Sequence, residues 1–274
     1  MKYILSFRES SEGGAVTPGM LTQENGQTIP ATDLRLASKI VFLVHGYNVD
    51  EAEGKDKLLR LADMLPSMQD AAFVATLWPG DHWMGGLSYP LEWRDARDTS
   101  TRFARFIGDN LRREVPLYFV THSLGARVAM DTIRSVWQSG FNVKQICLMA
   151  PAIDDDSLSD FRVYRRATEE ADRVTVLSSV NDEILGLAYP VGDLLYTAFH
   201  ENEYWDLALG YHGPKSEPDL NQSVPGNVFH VPTPDDRGVD HGDYLPEQTP
   251  NDEQESAAAF ADKVLTGMTN PQYI

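Results

Sequence analysis

The stretch that decides the fold is VTHSLGARVA at residues 120–129, where an apolar segment runs through a tight turn directly into a helical pattern. Residues 116–120, PLYFV, have the apolar character of a buried strand, and residues 124–138 show the apolar spacing of a helix. A serine in such a strand-to-helix turn has its hydroxyl lifted out of the sheet, next to the free N–H groups of the helix N-terminus. In this chain that serine is Ser123.

The turn needs small residues on both sides of Ser123, because neighbouring backbones approach it closely. Gly125 meets this need on one side, but Thr121 stands where the common Gly-x-Ser-x-Gly pattern has its first glycine. Threonine is small but β-branched, so the pattern departs at one position. Since the strand before and the helix after supply the context that the motif requires, we predict that Ser123 is a nucleophile.

Apolar strands alternate with helical patterns along the rest of the chain. Further strands are predicted at 1–8, 39–44, 71–77, 146–150, 173–177 and 227–231, further helices at 51–65, 95–113 and 252–267, and a loop or hairpin at 9–30. This alternation predicts the α/β class, with a mostly parallel sheet covered by helices on both faces. The 274 residues are compatible with a single domain spanning 1–274.

Two long stretches, 78–95 and 186–226, fit this alternation poorly because they mix Trp, Tyr, Pro and Gly with charges. Long irregular insertions in a compact domain are usually functional loops or lids, so we expect them to form a cap or a substrate pocket. Trp83, Met84 and Tyr89 are candidate pocket residues, together with His122 beside the serine. Simple core packing under a long loop explains the same aromatic residues equally well.

The strand at 39–44 ends in His45-Gly46-Tyr47-Asn48. A serine nucleophile needs backbone N–H groups that stabilise a developing oxyanion. One such donor follows the nucleophile, here Leu124, and the other comes from the loop after this early strand, here Tyr47. We expect His45 to be a structural histidine that hydrogen-bonds within the loop.

A serine nucleophile also needs a base and an acid, which follow it in the chain order serine, carboxylate, histidine. Asp182 comes just after the strand at 173–177 and is the predicted acid, with the adjacent Glu183 ranked second. The acidic run 154–156 is a rival, although we expect it rather to cap the next helix. His241 follows the last predicted strand and is the predicted base.

Composition and missing motifs narrow the classes of partner. With 23 Lys and Arg against 41 Asp and Glu, the formal charge of −18 disfavours nucleic acids and anionic membranes. No metal-binding His or Cys spacing and no phosphate-binding glycine loop occurs, so neither metal nor cofactor is expected. The N-terminal segment is broken by Arg8 and Glu9 and lacks the apolar stretch of a signal peptide, so a cytoplasmic protein without a membrane span is expected.

With these motifs in view, the chain resembles the α/β-hydrolase superfamily over most of its length. More narrowly, it is similar to a largely uncharacterised group of bacterial serine hydrolases with a His-Gly-Tyr-Asn motif. The matching segments are 45–48, Trp-Pro at 78–79, Ala-Pro followed by Ile-Asp at 150–154, a Ser-Asn-Asp-like turn at 179–182, and His241 with Tyr244. The nucleophile turn at 121–126 departs from that group's Ala-His-Ser-Met-Gly-Asn at three positions.

The resemblance implies an α/β-hydrolase fold and a Ser-Asp-His triad, with an esterase-like or lipase-like activity on a small ester. A thioesterase or an amidase would use the same machinery. From another class, a catalytically silent binding protein would be expected to lack one member of the triad. The oligomeric state is left open by the sequence.

Overall fold

Eight strands form one sheet in the structure, a computed structural model that describes residues 1–10, 13–80, 89–188, 207–216 and 222–273. The strands are β1 (Lys2–Ser10), β2 (Gly13–Gln23), β3 (Ile40–Val44), β4 (Ala72–Leu77), β5 (Pro116–His122), β6 (Asn142–Met149), β7 (Ala171–Ser178) and β8 (Val228–Pro232). Their spatial order is β2-β1-β4-β3-β5-β6-β7-β8. Only the β1–β2 pair is antiparallel, and every other pair of neighbours is parallel.

Four of the longer helices connect successive strands as crossovers, and the fifth follows the last strand. They are α1 (Glu51–Asp63), α2 (Tyr89–Asn110), α3 (Gly125–Ser135), α4 (Arg165–Glu170) and α5 (Asp252–Leu265). The helix α3 packs between α2 and α4, whereas α1 contacts β4 and α5 contacts β6. Every residue of β3 and β4 is buried, as expected for parallel strands that are covered on both faces. The predicted fold class, that of the α/β-hydrolases, is therefore confirmed.

A cluster of four phenylalanines, Phe7, Phe42, Phe103 and Phe119, joins the sheet to α2. The ring of Phe103 lies 4.9 Å from that of Phe42 in an edge-on arrangement, and Phe42 stacks on Phe119 at 5.2 Å. All four side chains are fully buried. This packing fixes α2 against β3 and β5. The candidate site lies at the carboxyl ends of these two strands.

The structure decides one alternative that the sequence left open and moves one predicted boundary. The predicted loop or hairpin at 9–30 is a hairpin, because β2 pairs with β1 along most of its length. The helix predicted at 95–113 begins already at Tyr89, so the last third of the proposed insertion 78–95 is helical. Residues 81–88, 189–206 and 217–221 lie outside the described part, so the proposed cap and the single-domain organisation stay predictions.

Candidate active site

Ser123 sits in a strained turn between β5 and α3. Its φ is +54°, which is a left-handed conformation. Residues other than glycine seldom adopt this conformation, and those that do are concentrated at functional sites. The strand β6 holds the turn, since the Ser123 N–H donates to the Met149 carbonyl at 3.1 Å. The Ser123 carbonyl in turn accepts from the N–H groups of Ala126 and Ala152. These three bonds stabilise a backbone conformation that serine would not adopt by itself.

Close backbone packing explains the two glycines around the turn. A Cβ at Gly125 would collide with the backbone carbonyls of Val44 and His45, and a Cβ at Gly46 would lie 2.7 Å from the Cβ of Ser123. The end of β3 therefore presses directly against the start of α3. Thr121, the departure from the usual pattern, is buried in β5 with its hydroxyl lacking a hydrogen-bond partner among the described residues.

Three side chains predicted from distant parts of the sequence meet at this turn. The Ser123 hydroxyl lies 2.8 Å from Nε2 of His241, and Nδ1 of His241 lies 2.7 Å from a carboxylate oxygen of Asp182. Because a carboxylate only accepts, Nδ1 carries the proton, and Nε2 is left to accept from the serine hydroxyl. The side chain of Asp182 is completely buried, and its second oxygen accepts the N–H of Leu185 at 2.9 Å.

His241 is presented by a short capped turn. It begins a 3₁₀ segment, His241–Tyr244, in which the Asp240 side chain accepts the N–H of His241 at 2.7 Å. The Asp243 side chain accepts the N–H of Asp240 in return, at 2.9 Å. This reciprocal cap fixes the backbone from which the imidazole projects, and only 11% of the His241 side chain is exposed.

His45 has the structural role that was expected of it. It is fully buried, and the backbone N–H of Trp78 donates to its Nε2 at 3.2 Å. Its Nδ1–H therefore donates to the Gly46 carbonyl at 2.9 Å, while the Trp78 indole N–H donates to the His45 carbonyl. Burial lowers the pKa of His45 to about 4, so the ring is neutral at physiological pH.

The two predicted oxyanion donors belong to the two segments that border Ser123. Leu124 is buried and forms the N-cap of α3, and Tyr47 follows Gly46 in the loop that packs on Ser123. The next residue, Asn48, has a φ of +56° and donates its N–H to the Gly80 carbonyl at 2.5 Å. Both segments border the serine, but their role as oxyanion donors stays a prediction.

The predicted pocket residues are only partly described. Trp83 and Met84 lie outside the described residues, as does the side chain of Tyr89 at the start of α2. His122 is described; it is 9% exposed, and its Nε2–H donates to the backbone carbonyl of His241 at 2.9 Å. This bond supports the loop of His241, whereas the predicted place of His122 in a substrate pocket stays a prediction.

The rival acids are placed elsewhere. Glu183 is exposed, whereas Asp182 beside it is buried against the imidazole. In the run 154–156, Asp156 is buried in an ion pair with Arg162. The expectation that this run caps the next helix is wrong, because α4 begins at Arg165 without a side-chain cap.

Two further contacts around the site could not be found by sequence reasoning. The Ser179 hydroxyl donates to the Val239 carbonyl at 2.6 Å, and the Gln254 amide donates to the Gly242 carbonyl at 3.4 Å. Both bonds hold the loop of His241, and no sequence motif relates either donor to its acceptor. They depend on how α5 and the Asp182 turn pack, which a linear pattern does not reveal.

Two features are absent from the part of the chain that the structure describes, a cluster of metal ligands and a membrane-spanning helix. No group of three or more His, Cys, Asp or Glu side chains there is arranged to hold a metal ion. Among the helices of the same residues, none combines the length and the apolar character needed to cross a bilayer.

Several solved esterase structures are similar to this chain at low sequence identity. A search of curated proteins found no match. Among solved structures, esterase PE8 is similar with a TM-score of 0.43 and 17% identity, over 83% of this chain and 93% of that one. An esterase of Pyrobaculum calidifontis gives 0.42 and 15%, over 85% and 78%, and a fungal esterase of Rhizomucor miehei gives 0.42 and 16%, over 90% and 80%. At these values the likeness concerns only the general course of the chain.

The family comparison goes further. The family described as "Alpha/beta hydrolase of unknown function (DUF900)" matches residues 24–193, which is more than half of the chain. This range contains β3, the turn at Ser123 and Asp182. The protein therefore belongs to this family of α/β-hydrolases.

Proposed function

We propose that the protein is a serine hydrolase that cleaves a carboxylic ester through an acyl-enzyme intermediate. The observation that carries this proposal is the continuous hydrogen-bonded chain from the Ser123 hydroxyl through His241 to the buried Asp182, with distances of 2.8 and 2.7 Å. The three residues follow one another in the chain order of the α/β-hydrolase triad, which supports the same assignment.

In the first half of the reaction, Ser123 Oγ attacks the ester carbonyl carbon while Nε2 of His241 takes the hydroxyl proton. Asp182 stabilises the resulting imidazolium and keeps Nδ1 protonated. The tetrahedral intermediate collapses when the carbon–oxygen bond to the alcohol breaks, and His241 gives its proton to the departing oxygen. An acyl group is then bound to Ser123.

In the second half, water enters and His241 removes one of its protons. The hydroxide adds to the acyl carbon, the bond to Ser123 Oγ breaks, and the proton returns to the serine. The products are an alcohol and a carboxylic acid, and the enzyme is regenerated without any cofactor.

In both halves a negative oxygen forms, and we propose that the backbone N–H groups of Leu124 and Tyr47 stabilise it. The position of Leu124 at the N-terminus of α3 adds the favourable end of the helix dipole. In other serine hydrolases the loss of one such donor costs about 2.7–4 kcal/mol of transition-state stabilisation.

The proposal is tested by hydrolysis of p-nitrophenyl acetate, butyrate, octanoate and palmitate, in parallel with labelling by a fluorophosphonate. Wild type, Ser123→Ala and Ser178→Ala are compared. Ser178 is a matched control because it is also buried and also hydrogen-bonded to an imidazole, that of His230 at 2.7 Å. We expect turnover and labelling in wild type and in Ser178→Ala, and neither in Ser123→Ala.

The other outcomes separate the alternatives. Labelling at Ser123 without turnover of any ester would transfer the proposal to thioesters or anilides, which are then assayed with the same variants. A wild-type protein that neither turns over esters nor takes the label would contradict the proposal and favour a binding protein with a silent triad.

A further inference from the structure

The loop of His241 is held through three of its backbone carbonyls. Ser179 donates to the Val239 carbonyl, His122 to the His241 carbonyl, and Gln254 to the Gly242 carbonyl. The middle bond, at 2.9 Å, differs from the other two because its acceptor is the backbone of the proposed base itself. Its donor is the side chain of the residue next to the proposed nucleophile.

The tautomer of His122 follows from this contact. A backbone carbonyl only accepts, so Nε2 of His122 must carry the proton. Its Nδ1 is then a bare acceptor, buried and without a hydrogen-bond partner among the described residues. Nδ1 lies close to Gly46, since a Cβ added to Gly46 would be 3.2 Å from this nitrogen. A proton on Nδ1 would have no acceptor in that position, so the geometry requires a neutral ring.

Burial, together with the nearby His241, lowers the pKa of His122 well below its ordinary value. The cationic Lys57 and the ring of His45 act in the same direction. His122 therefore stays a neutral donor while His241 gains and loses its proton during the proposed reaction.

Packing makes this donor a rigid link. The His122 ring lies 4.8 Å from the His241 ring and stacks on the Tyr244 ring at 6.0 Å, measured between centroids. His122 is the last residue of β5, and its backbone leads directly into the turn of Ser123. One residue thus connects the strand that presents the serine to the loop that presents the histidine.

We propose that His122 is a positioning residue, which sets the His241 imidazole against Ser123 by holding the His241 backbone with its Nε2–H group. This inference rests on the proposed function, because it assigns His122 a part in the same reaction. Its contribution concerns the placement of the base and leaves substrate binding unaffected, so its loss should lower kcat with little change in KM.

The test uses a pair of variants with the same shape. In His122→Gln an amide N–H replaces the Nε2–H donor, whereas His122→Met has a similar length and no donor. We expect His122→Met to lower kcat by about 10- to 100-fold, in line with the cost of misplacing a catalytic group by about 1 Å. We expect KM to change by less than about twofold, and His122→Gln to recover most of the lost rate.

His230→Gln and His230→Met are the matched controls, because His230 also forms a hydrogen bond through Nε2, to Ser178. Both should retain wild-type kcat. Equal kcat values in His122→Met and wild type would overturn the proposal. So would a His122→Gln variant as slow as His122→Met in a protein that melts like wild type, because the ring shape and not the donor would then be responsible.

A second measurement needs no variant and no substrate. In wild type labelled with ¹⁵N-histidine, NMR should show His122 as the neutral Nε2–H tautomer, with its N–H protected from exchange. An Nδ1–H tautomer or a charged ring at neutral pH would overturn the proposal even if His122→Met fails to fold. This readout is also independent of the proposed function, whose own failure would appear as a wild type without turnover or fluorophosphonate labelling.

Discussion

Two serine–histidine pairs lie near the carboxyl ends of the parallel strands, and their hydrogen bonds are similarly short. Ser123 is 2.8 Å from His241, and Ser178 is 2.7 Å from His230. Both serine side chains are buried, at 5% and 2% exposure. By distance alone, the second pair is as good a candidate as the first.

The surroundings of the two pairs differ. Ser123 has a left-handed backbone at the N-terminus of α3, whereas Ser178 is the last residue of the regular strand β7. The His241 ring donates to the buried Asp182, whereas the His230 ring packs under the backbone of Gly213, where a Cβ would collide with it. A serine–histidine hydrogen bond thus acquires its proposed chemistry only from the strained turn, the helix end and the carboxylate.

The largest expected effect separates the two serines. Replacing the nucleophile in another serine hydrolase lowers kcat by about 10⁶-fold, and we expect a loss of that order for Ser123→Ala. Ser178→Ala should keep the wild-type rate and lose only about 1 kcal/mol of stability with its hydrogen bond. Ester hydrolysis and urea unfolding of both variants measure this difference. A comparable loss of activity in Ser178→Ala would show that the second pair also takes part.

The next effect concerns Asp182, the carboxylate bound to the imidazole of the first pair. In Asp182→Asn the amide would donate to Nδ1 of His241, and the ring proton would move to Nε2, where it blocks acceptance from Ser123. We expect kcat to fall by about 10⁴-fold, as in another serine hydrolase with this change. The control is Glu183→Gln, because Glu183 is adjacent but exposed. If both variants lost activity equally, Asp182 would have no special role.

A smaller effect tests the packing that strains the turn of Ser123. A Cβ at Gly125 meets the backbone of β3, which cannot move aside easily. We expect Gly125→Ala to destabilise the protein by roughly 3 kcal/mol. In Gly108→Ala, by contrast, the new Cβ meets open space within α2, so this variant should gain about 0.5–1 kcal/mol. Urea unfolding of the two variants should therefore give shifts of opposite sign.

The last effect comes from His45, which braces the loop beside the first pair. Its pKa is about 4 in the folded protein and about 6.5 when unfolded, so the unfolded chain binds a proton first as the pH falls. Stability from this group is complete above about pH 6.5 and is lost progressively down to about pH 4, by about 3 kcal/mol in total.

Urea unfolding between pH 7 and pH 4 checks this expectation in wild type and in His45→Gln. The variant should be less stable than wild type at pH 7. Its free energy of unfolding should fall less steeply as the pH decreases, because wild type takes up about one more proton than the variant when it unfolds in this range. Equal slopes in the two proteins would mean that His45 does not resist protonation in the folded state.

The fold class and the three residues that meet at the candidate site could be predicted from the sequence alone. The reason is local chemistry combined with topology. A buried strand that turns sharply into a helix identifies Ser123, and parallel strands deliver the residues after their carboxyl ends, such as Asp182 and His241, to one edge of the sheet. The structural role of His45 was also foreseen, because its place in the loop after β3 is set by the same rule.

Only the tertiary structure decided how these residues are held. The bonds from His122, Ser179 and Gln254 to the loop of His241 span 119, 60 and 12 residues of the chain, with no repeated pattern that relates donor to acceptor. Each depends on the packing of whole elements, which fixes side chains to within a fraction of an ångström. The sequence placed His122 next to the serine, but only the packing shows that its ring binds the backbone of the His241 loop.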